Sequence, residues 1–219
     1  MTARPARHRT TPPRAASMLL ALACLLGAHP ALASFEPGAL VEAARAQTLH
    51  AVVYDGSYRR IDYPGGDVPA DRGVCTDVVI RAYRRQQIDL QQRVHEDMRR
   101  DFSAYPALWG LSRPDANIDH RRVPNLQKYL ARQRAELPAP SPERQGDLRP
   151  GDLITWMLPG NLPHIGIVSD RRARDDTRPL ILHNIGAGVV EDDILFRYPI
   201  TGHYRYPIDA PSTGSPATD

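Results

Sequence analysis

The stretch DRGVCTDVVIRAYRR, residues 71–85, contains the one cysteine that lies beyond the first 33 residues of this chain. After Gly73 the apolar residues recur at helical spacing with arginines between them, which predicts a helix with one buried face. Cys75 falls in the first turn of that helix. Unsatisfied backbone N–H groups and the positive end of the helix dipole lie there, and both favour a thiolate. The stretch therefore predicts a nucleophilic cysteine at a helix start.

The alternative for Cys75 is a buried, chemically inert cysteine. The other cysteine of the chain, Cys24, lies in a segment that we expect to be removed, so no internal disulfide is available. Residues 1–33 predict export, as described next, and an exported chain enters an oxidising compartment. An unpaired thiol is easily oxidised there, so a thiol that is kept is expected to have a function. That consideration and the position at a helix start favour catalysis.

Residues 1–33 have the pattern of a secretory signal peptide. Four arginines and no acidic residue precede the apolar run MLLALACLLGA, residues 18–28, and Ala31 and Ala33 stand before Ser34 as in a cleavage site. The apolar run of 11 residues is shorter than the roughly 20 that a membrane-spanning helix needs. Lipid attachment at Cys24 is a weaker alternative. We expect a periplasmic or secreted bacterial protein with no transmembrane span after cleavage.

Cleavage after Ala33 changes the charge of the chain. The full sequence has 28 basic and 25 acidic residues, and four of the basic ones lie in the leader. The remaining 186 residues then carry 24 basic and 25 acidic side chains, a net charge of −1. This balance gives no support to nucleic-acid binding. The length fits one domain, residues 34–206, followed by a tail, residues 207–219, whose composition is typical of disorder.

Two histidines lie on predicted strands. PGDLITWML, residues 150–158, is followed by a proline- and glycine-containing turn and by HIGIVSD, which starts at His164, so the two runs predict a hairpin. PLILH, a third strand, ends at His183. Adjacent antiparallel strands bring the start of one beside the end of the next, so we expect the two histidines to be neighbours. A nucleophilic thiol needs such a base and a group that orients it.

This order of a thiol at a helix start, a histidine at a strand start and a second polar residue one strand later resembles the NlpC-type papain-like cysteine peptidases. GVCTDVV matches the nucleophile helix, GDLITW with HIGIVSD matches the base strand, and LILHN matches the orienting residue. The resemblance implies a papain-like α+β fold and cleavage of an amide bond, with a peptide or cell-wall fragment as substrate. Those enzymes usually have an acidic residue before the cysteine and Ser-Gly after it, where this chain has Val74, Thr76 and Asp77.

The resemblance also implies roles for individual residues. Cys75 would attack a carbonyl carbon, His164 would accept the thiol proton, and His183 would hold the imidazole of His164 in the required tautomer. Asn184 is the alternative orienting residue, because strand alternation turns only one of the two toward the site. No metal and no cofactor is implied.

A second and longer resemblance extends over residues 50–206. The runs YDGSYRRIDYPGGDVPADRGVCTDVVIRAYR, NIDHRRVPNL, PHIGIVSD, HNIGAGVVEDDILF and ITGHYRY are similar to an uncharacterised family of exported bacterial proteins typified by YijF. This resemblance implies one domain over nearly all of the chain that follows the leader. It supplies no reaction.

Two further segments are candidates for substrate contact. Asp119, His120 and Arg121 lie in a polar connecting loop, where an arginine could hold a carboxylate, or where the group could form a structural ion pair. Tyr63 precedes Cys75 as a tyrosine-bearing segment does in NlpC-type sites, although a plain Pro-Gly turn also explains its surroundings.

The sequence therefore predicts an α+β protein with helices near residues 74–87, 90–100 and 125–136, packed on an antiparallel sheet of five or six strands near residues 152–157, 164–169, 179–184, 190–197 and 202–206. The predicted function is that of an exported thiol amidase or peptidase. Two alternatives stay open. One is a non-catalytic peptide- or wall-binding module on the same fold. The other is a metal site built from His120, His164, His183 and several aspartates, which the thiolate could join.

Overall fold

The computed structural model describes residues 1–2 and 34–207. The predicted signal peptide, apart from its first two residues, and the predicted tail, apart from Pro207, lie outside the described residues. From Ser34 onward the described chain is one compact unit. None of its helices is both long enough and apolar enough to cross a membrane.

Four α-helices occur in the described residues: α1 (Pro37–Arg45), α2 (Cys75–Arg85), α3 (Leu90–Arg100) and α4 (Val123–Arg132). Short 3₁₀ turns supplement them at Ala46–Leu49, Phe102–Ala104, Asp119–Arg121 and Pro142–Asp147. Helix α3 begins where the side chain of Asp89 accepts hydrogen bonds from two backbone N–H groups of the first turn.

The strands are β1 (Val53–Tyr54), β2 (Arg72–Gly73), β3 (Glu136–Leu137), β4 (Leu153–Leu158), β5 (Leu162–Arg172), β6 (Pro179–Asn184), β7 (Val189–Asp192) and β8 (Ile200–Tyr204). Strands β1 and β2 form a short parallel pair. The other six form an antiparallel sheet in the order β3-β8-β4-β5-β6-β7. The α+β class and the antiparallel sheet of six strands are confirmed.

The sheet separates two apolar clusters. The larger joins the helices to one face and includes Cys75, Ile165, Ile167 and Leu182. The smaller covers the other face and includes Trp156. Alternating residues of one strand therefore point into different clusters. This alternation decides which side chains can meet Cys75.

Some predicted boundaries are wrong. The helix predicted over 125–136 starts at Val123 and ends at Arg132, because Arg134 has a φ of 60° and the chain then enters β3. The strand predicted over 190–197 ends at Asp192. Beyond it the backbone turns, with the N–H of Arg197 donating to the carbonyl of Ile194. Helix α1 was not predicted. The short strands β1, β2 and β3 were not predicted either, because a strand of two residues has no alternation to detect.

A buried carboxylate, that of Asp152, links the residue before β4 to the end of β8 through hydrogen bonds. The Asp152 carboxylate is 1% exposed and accepts hydrogen bonds from His203 Nε2 at 2.9 Å and from Arg205 Nε at 2.7 Å. Burial by itself would raise the pKa of Asp152, but these hydrogen bonds outweigh burial and hold the pKa below its usual 3.8.

This arrangement makes an acid-dependent contribution to stability. A carboxyl group whose pKa is lowered by folding stabilises the fold above its unfolded pKa, and that stabilisation is lost as the pH falls below about 4. We expect Asp152→Asn to lower the free energy of unfolding at pH 7 by about 1–3 kcal/mol, and by less at pH 3. Urea unfolding of both proteins at the two pH values measures this. An equal loss at both would contradict the assignment.

Candidate functional site

Cys75 is the first residue of α2, as the helical spacing predicted. The helix start is held by Asp77, whose carboxylate accepts the backbone N–H of Val74 at 2.6 Å. An acidic side chain in the first turn also interacts favourably with the helix dipole. Asp77, which departs from the NlpC pattern, therefore has a structural role at this helix start.

Arg121 lies against the same helix start and forms a buried ion pair with Asp77. Its Nε and one terminal nitrogen each donate to a carboxylate oxygen of Asp77 at 2.9 Å, and both side chains are at most 3% exposed. The guanidinium also donates to the carbonyls of Asp55 and Ser57. In return, the hydroxyl of Thr76 donates to the carbonyl of Arg121 at 3.0 Å. The pair thus fixes the start of α2 to two loops.

The thiol of Cys75 is 4% exposed and lies against strand β5. The backbone N–H of Ile165 and the hydroxyl of Tyr54 are close enough to influence the pKa of the thiol. Burial raises the pKa of Cys75 to about 11, although the N–H groups of Ile165 and Thr76 lower it in part. The expected lowering of the thiol pKa is therefore wrong for this arrangement, because desolvation of the thiolate outweighs the helix start.

His164 and His183 are in direct contact, as their strands predicted. His164 Nε2 and His183 Nδ1 are 3.1 Å apart, and the two rings meet edge to face. Both side chains are at most 1% exposed. Burial lowers the pKa of His164 to about 3 and that of His183 to about 4, so both rings are neutral near pH 7. The hydrogen bond leaves Nδ1 of His164 as the nitrogen available to a reacting group.

The side chains of the histidine pair and the thiol of Cys75 lie on opposite faces of the sheet. His164 is paired with Trp156 across β4 and β5, with ring centroids 5.8 Å apart, whereas Ile165 belongs to the cluster that contains Cys75. Among residues 34–207, no hydrogen bond joins Cys75 to either histidine. The thiol therefore contacts the backbone that follows His164 and not the imidazole itself.

Asn184 lies next to His183 and points to the other face of the sheet. It is paired with Val189, a member of the helix-side cluster, and its Oδ1 accepts the N–H of Gly186 at 2.9 Å. Its Nδ2 is buried without a partner in the described part of the chain. Of the two candidates for the orienting residue, His183 is the one that contacts His164.

Gly166 provides the space in which the two histidine strands approach each other. A Cβ atom at this position would lie 2.6 Å from Cγ2 of Ile181 and 3.2 Å from Cβ of His183. We expect Gly166→Ala to lower the free energy of unfolding by about 1–3 kcal/mol and to shift the His183 ring signals. Gly38→Ala is the control, since a Cβ there meets nothing within 4 Å. Urea unfolding and NMR measure both effects, and a neutral Gly166→Ala would contradict the crowding.

The polar segment Asp119–Arg121 forms one 3₁₀ turn, and all three side chains are buried. Asp119 accepts hydrogen bonds from the N–H of Asp115 at 2.5 Å and from Arg122 at 3.0 Å. Burial raises the pKa of Asp119 and lowers that of His120 to about 3. Because Arg121 is fully engaged with Asp77 and two carbonyls, the structural ion pair is the alternative that describes it.

Tyr63 is 42% exposed and contacts the ring of His95. The tyrosine at the thiol is instead Tyr54, whose pKa burial raises to about 12. The sequence analysis missed Tyr54, because its two-residue strand has no periodicity. Its pairing with Gly73, two residues before Cys75, brings it to the site.

No group of three or more potential metal-ligating side chains occurs in the part of the chain that the structure describes. The histidine pair thus has no third His, Cys, Asp or Glu ligand beside it among these residues. A tetrahedral zinc site normally has at least three protein ligands.

The fold and the site define an α+β protein with a buried cysteine at a helix start and a histidine pair on the adjoining antiparallel sheet. The chain belongs to the family described as "Domain of unknown function (DUF1287)", which it matches over residues 41–206. It is 52% identical over 168 residues to "Uncharacterized protein YijF" of Escherichia coli (strain K12). That alignment covers 77% of this chain and 80% of the relative.

Proposed function

We propose that the protein is an exported thiol hydrolase that cleaves an amide bond in a peptide or cell-wall fragment. One observation carries the proposal. The Cys75 sulfur, at the start of α2, lies against the backbone immediately after His164, while His183 holds Nε2 of His164 at 3.1 Å. A nucleophile, a base and a group that orients the base are the three elements that such chemistry requires.

In the proposed reaction, Nδ1 of His164 accepts the thiol proton as the sulfur attacks the carbonyl carbon. The carbonyl π electrons move to oxygen, and the Tyr54 hydroxyl and a backbone N–H of the α2 start donate to the resulting oxyanion. The C–N bond then breaks, and the imidazolium of His164 protonates the leaving amine. Water hydrolyses the thioester, which releases the acid and restores the thiol.

The resting protonation states of Cys75 and His164 determine when the thiol proton moves in the proposed reaction. With a thiol pKa of about 11 and a His164 pKa of about 3, the resting pair is neutral. The proton therefore moves during attack and not before it. His164 and Cys75 must also come into contact, which requires the start of β5 to rearrange when substrate binds, because the imidazole lies on the Trp156 side of this strand and the thiol on the helix side.

The proposal includes a papain-like, NlpC-type arrangement and export by the predicted signal peptide. The chain order supports the first point, since the cysteine helix precedes the strands that carry His164 and His183. The sequence of residues 1–33 supports the second.

A second candidate function is a binding module that retains the fold without turnover. Two observations favour it: the thiol is neutral and buried, and it makes no hydrogen bond to a histidine within residues 34–207. The residues that flank Cys75 also differ from the peptide-binding pattern of the NlpC enzymes.

Product analysis separates the two functions. Purified full chain is incubated with murein peptides and with a panel of peptide amides, and mass spectrometry follows new amines and acids. Hydrolysis by the native chain that Cys75→Ala and His164→Ala both abolish would support the hydrolase. His50→Ala, an exposed histidine, is the matched control and should keep activity. Retention of peptides by native and Cys75→Ala protein alike, with no product from either, would establish the binding module instead.

A further inference from the structure

A groove lies on the surface between the turn that follows α1 and the second half of α2. Its volume is about 790 Å³, which is within the usual range of small-ligand sites. Its charged lining consists of Asp67 and three arginines of α2, Arg81, Arg84 and Arg85. Four of its other lining residues are small and apolar, namely Ala43, Ala46, Val52 and Ala70. The groove therefore combines basic groups with apolar surface.

The three arginines lie on one face of α2, because residues three and four positions apart are neighbours on a helix surface. Asp67 is the acidic residue of the lining, and it is already paired, with Arg81 at 2.9 Å and with Arg84 at 3.1 Å. Two guanidinium groups thus share one carboxylate, and the third guanidinium lies on the same helix face. The lining keeps a net positive charge, which attracts an anion.

The contact between Arg81 and Asp67 shows which anion geometry this helix face accepts. Nε and one terminal nitrogen of Arg81 donate to different oxygens of the Asp67 carboxylate, at 2.9 Å and 3.2 Å. Such a two-point contact matches the planar guanidinium to a carboxylate. A carboxylate of the chain therefore already occupies one arginine of the groove in the way that a ligand carboxylate could occupy the next.

Arg85 is the arginine that the fold leaves available. It is exposed, and it forms no hydrogen bond or ion pair with any of residues 34–207. Its guanidinium is therefore reachable from solvent without a change in the fold. A guanidinium is weakly hydrated for a cation, so transfer from water to a bound carboxylate costs it little.

Hydrogen bonds hold both sides of the groove in place. Gln47 Nε2 donates to the carbonyl of Val78 at 3.0 Å, which fixes the turn after α1 to α2. Arg81 donates to the carbonyls of Val68 and Arg72 at 3.2 Å and 3.0 Å, which fixes the loop before β2 to the same helix. The groove is therefore formed before any ligand enters, and binding requires little ordering of the chain.

We propose that this groove binds a small aliphatic carboxylate, which accepts hydrogen bonds from Arg85 and packs its hydrocarbon part on Ala46, Val52 and Ala70. Because the lining has a net positive charge, a short dicarboxylate is the preferred ligand. The apolar residues favour an organic acid over inorganic phosphate, since phosphate has no hydrocarbon to bury. None of the lining residues belongs to the candidate functional site, so the proposal does not depend on the chemistry of Cys75.

Glutarate is the probe for this site, and glutaramide, which has the same carbon chain without the charge, is its matched control. Each is titrated into the ¹⁵N-labelled full chain at low salt, and the arginine Nε–H resonances are followed by NMR. We expect a saturable shift of the Arg85 signal with glutarate and none with glutaramide. A static Arg85 signal, or equal shifts with the two compounds, would overturn the proposal.

Arg99 provides a matched control for Arg85. It is also exposed, lies in the last turn of α3 and forms no hydrogen bond or ion pair within the described part of the chain. Arg85→Gln should lower the glutarate affinity about 10-fold, as the loss of a charge-assisted hydrogen bond implies, and Arg99→Gln should leave it unchanged. Isothermal titration calorimetry measures both. Unchanged affinity in Arg85→Gln, or an equal loss in the two variants, would contradict a specific site.

Two substitutions at Ala46, an exposed residue of the lining, test the charge of the groove. Glutamate and glutamine have nearly the same volume, so Ala46→Glu should weaken glutarate binding more than Ala46→Gln does. Equal effects would show that charge does not govern binding. Inorganic phosphate, titrated in the same way, should bind more weakly than glutarate. Tighter binding of phosphate would overturn the assignment of a carboxylate ligand.

Discussion

Replacement of Asp77 by alanine is expected to lower the free energy of unfolding by about 3–5 kcal/mol, because it leaves the guanidinium of Arg121 buried without its counter-ion. Both side chains of the pair are at most 3% exposed, so water does not reach the uncompensated charge. The same substitution removes the acceptor of the Val74 N–H at the start of α2. Urea unfolding monitored by circular dichroism measures the loss.

Two controls isolate the buried charge as the cause. Asp193→Ala breaks an ion pair with Arg178 in which both side chains are about one third exposed, and we expect no comparable loss. The double variant Asp77→Leu/Arg121→Met removes both charges and should recover part of the stability. A loss below about 1 kcal/mol for Asp77→Ala would show that the pair is not buried as described.

The reactivity of Cys75 toward iodoacetamide is expected to be low and to rise with pH well beyond the range of an ordinary cysteine. Burial raises the pKa of the thiol from 9.0 to about 11. At neutral pH the thiolate fraction is then about 100-fold lower than that of an unperturbed thiol. The thiolate is the reacting species, so the labelling rate should fall by a similar factor.

The measurement uses the full chain with Cys24→Ser, so that Cys75 is the single thiol. Rates are determined by mass spectrometry between pH 6 and pH 10, with the urea-unfolded chain as the reference. His164→Ala should leave the slow rate at pH 6 nearly unchanged, because a neutral imidazole does not stabilise a thiolate. Rapid labelling at pH 6 that His164→Ala abolishes would instead demonstrate a preformed thiolate–imidazolium pair.

The sequence predicted those helices and strands in which buried side chains recur at a regular spacing. Helices α2 and α3 and strands β4, β5 and β6 were found because buried side chains recur at helical spacing or alternate across the sheet. The two-residue strands are too short for any pattern. The helix end at Arg132 depends on the positive φ of Arg134, a conformation that no residue type in that segment requires.

The sequence predicted that the two histidines of the candidate site are in contact, but it did not predict how deeply the site residues are buried. The contact between His164 and His183 follows from strand order and register, whereas the pKa of Cys75 depends on how deeply the helix start is buried, which no local pattern records. The partners of Arg121 could not be foreseen either. Its contact with Asp77 joins residues 44 positions apart, and only the packed fold brings them together.

The short strands β1 and β2 lie beside Cys75 and are expected to detach from the fold more often than the main sheet does. Tyr54, whose hydroxyl and the Cys75 thiol influence each other's pKa, is held by a parallel ladder of only two residue pairs, and Val53 and Tyr54 are 61% and 46% exposed. Segments with few contacts detach at a free energy well below that of global unfolding. Amide hydrogens of this ladder should therefore exchange faster than those of β4 and β5, and a detached Tyr54 would uncover one side of the thiol.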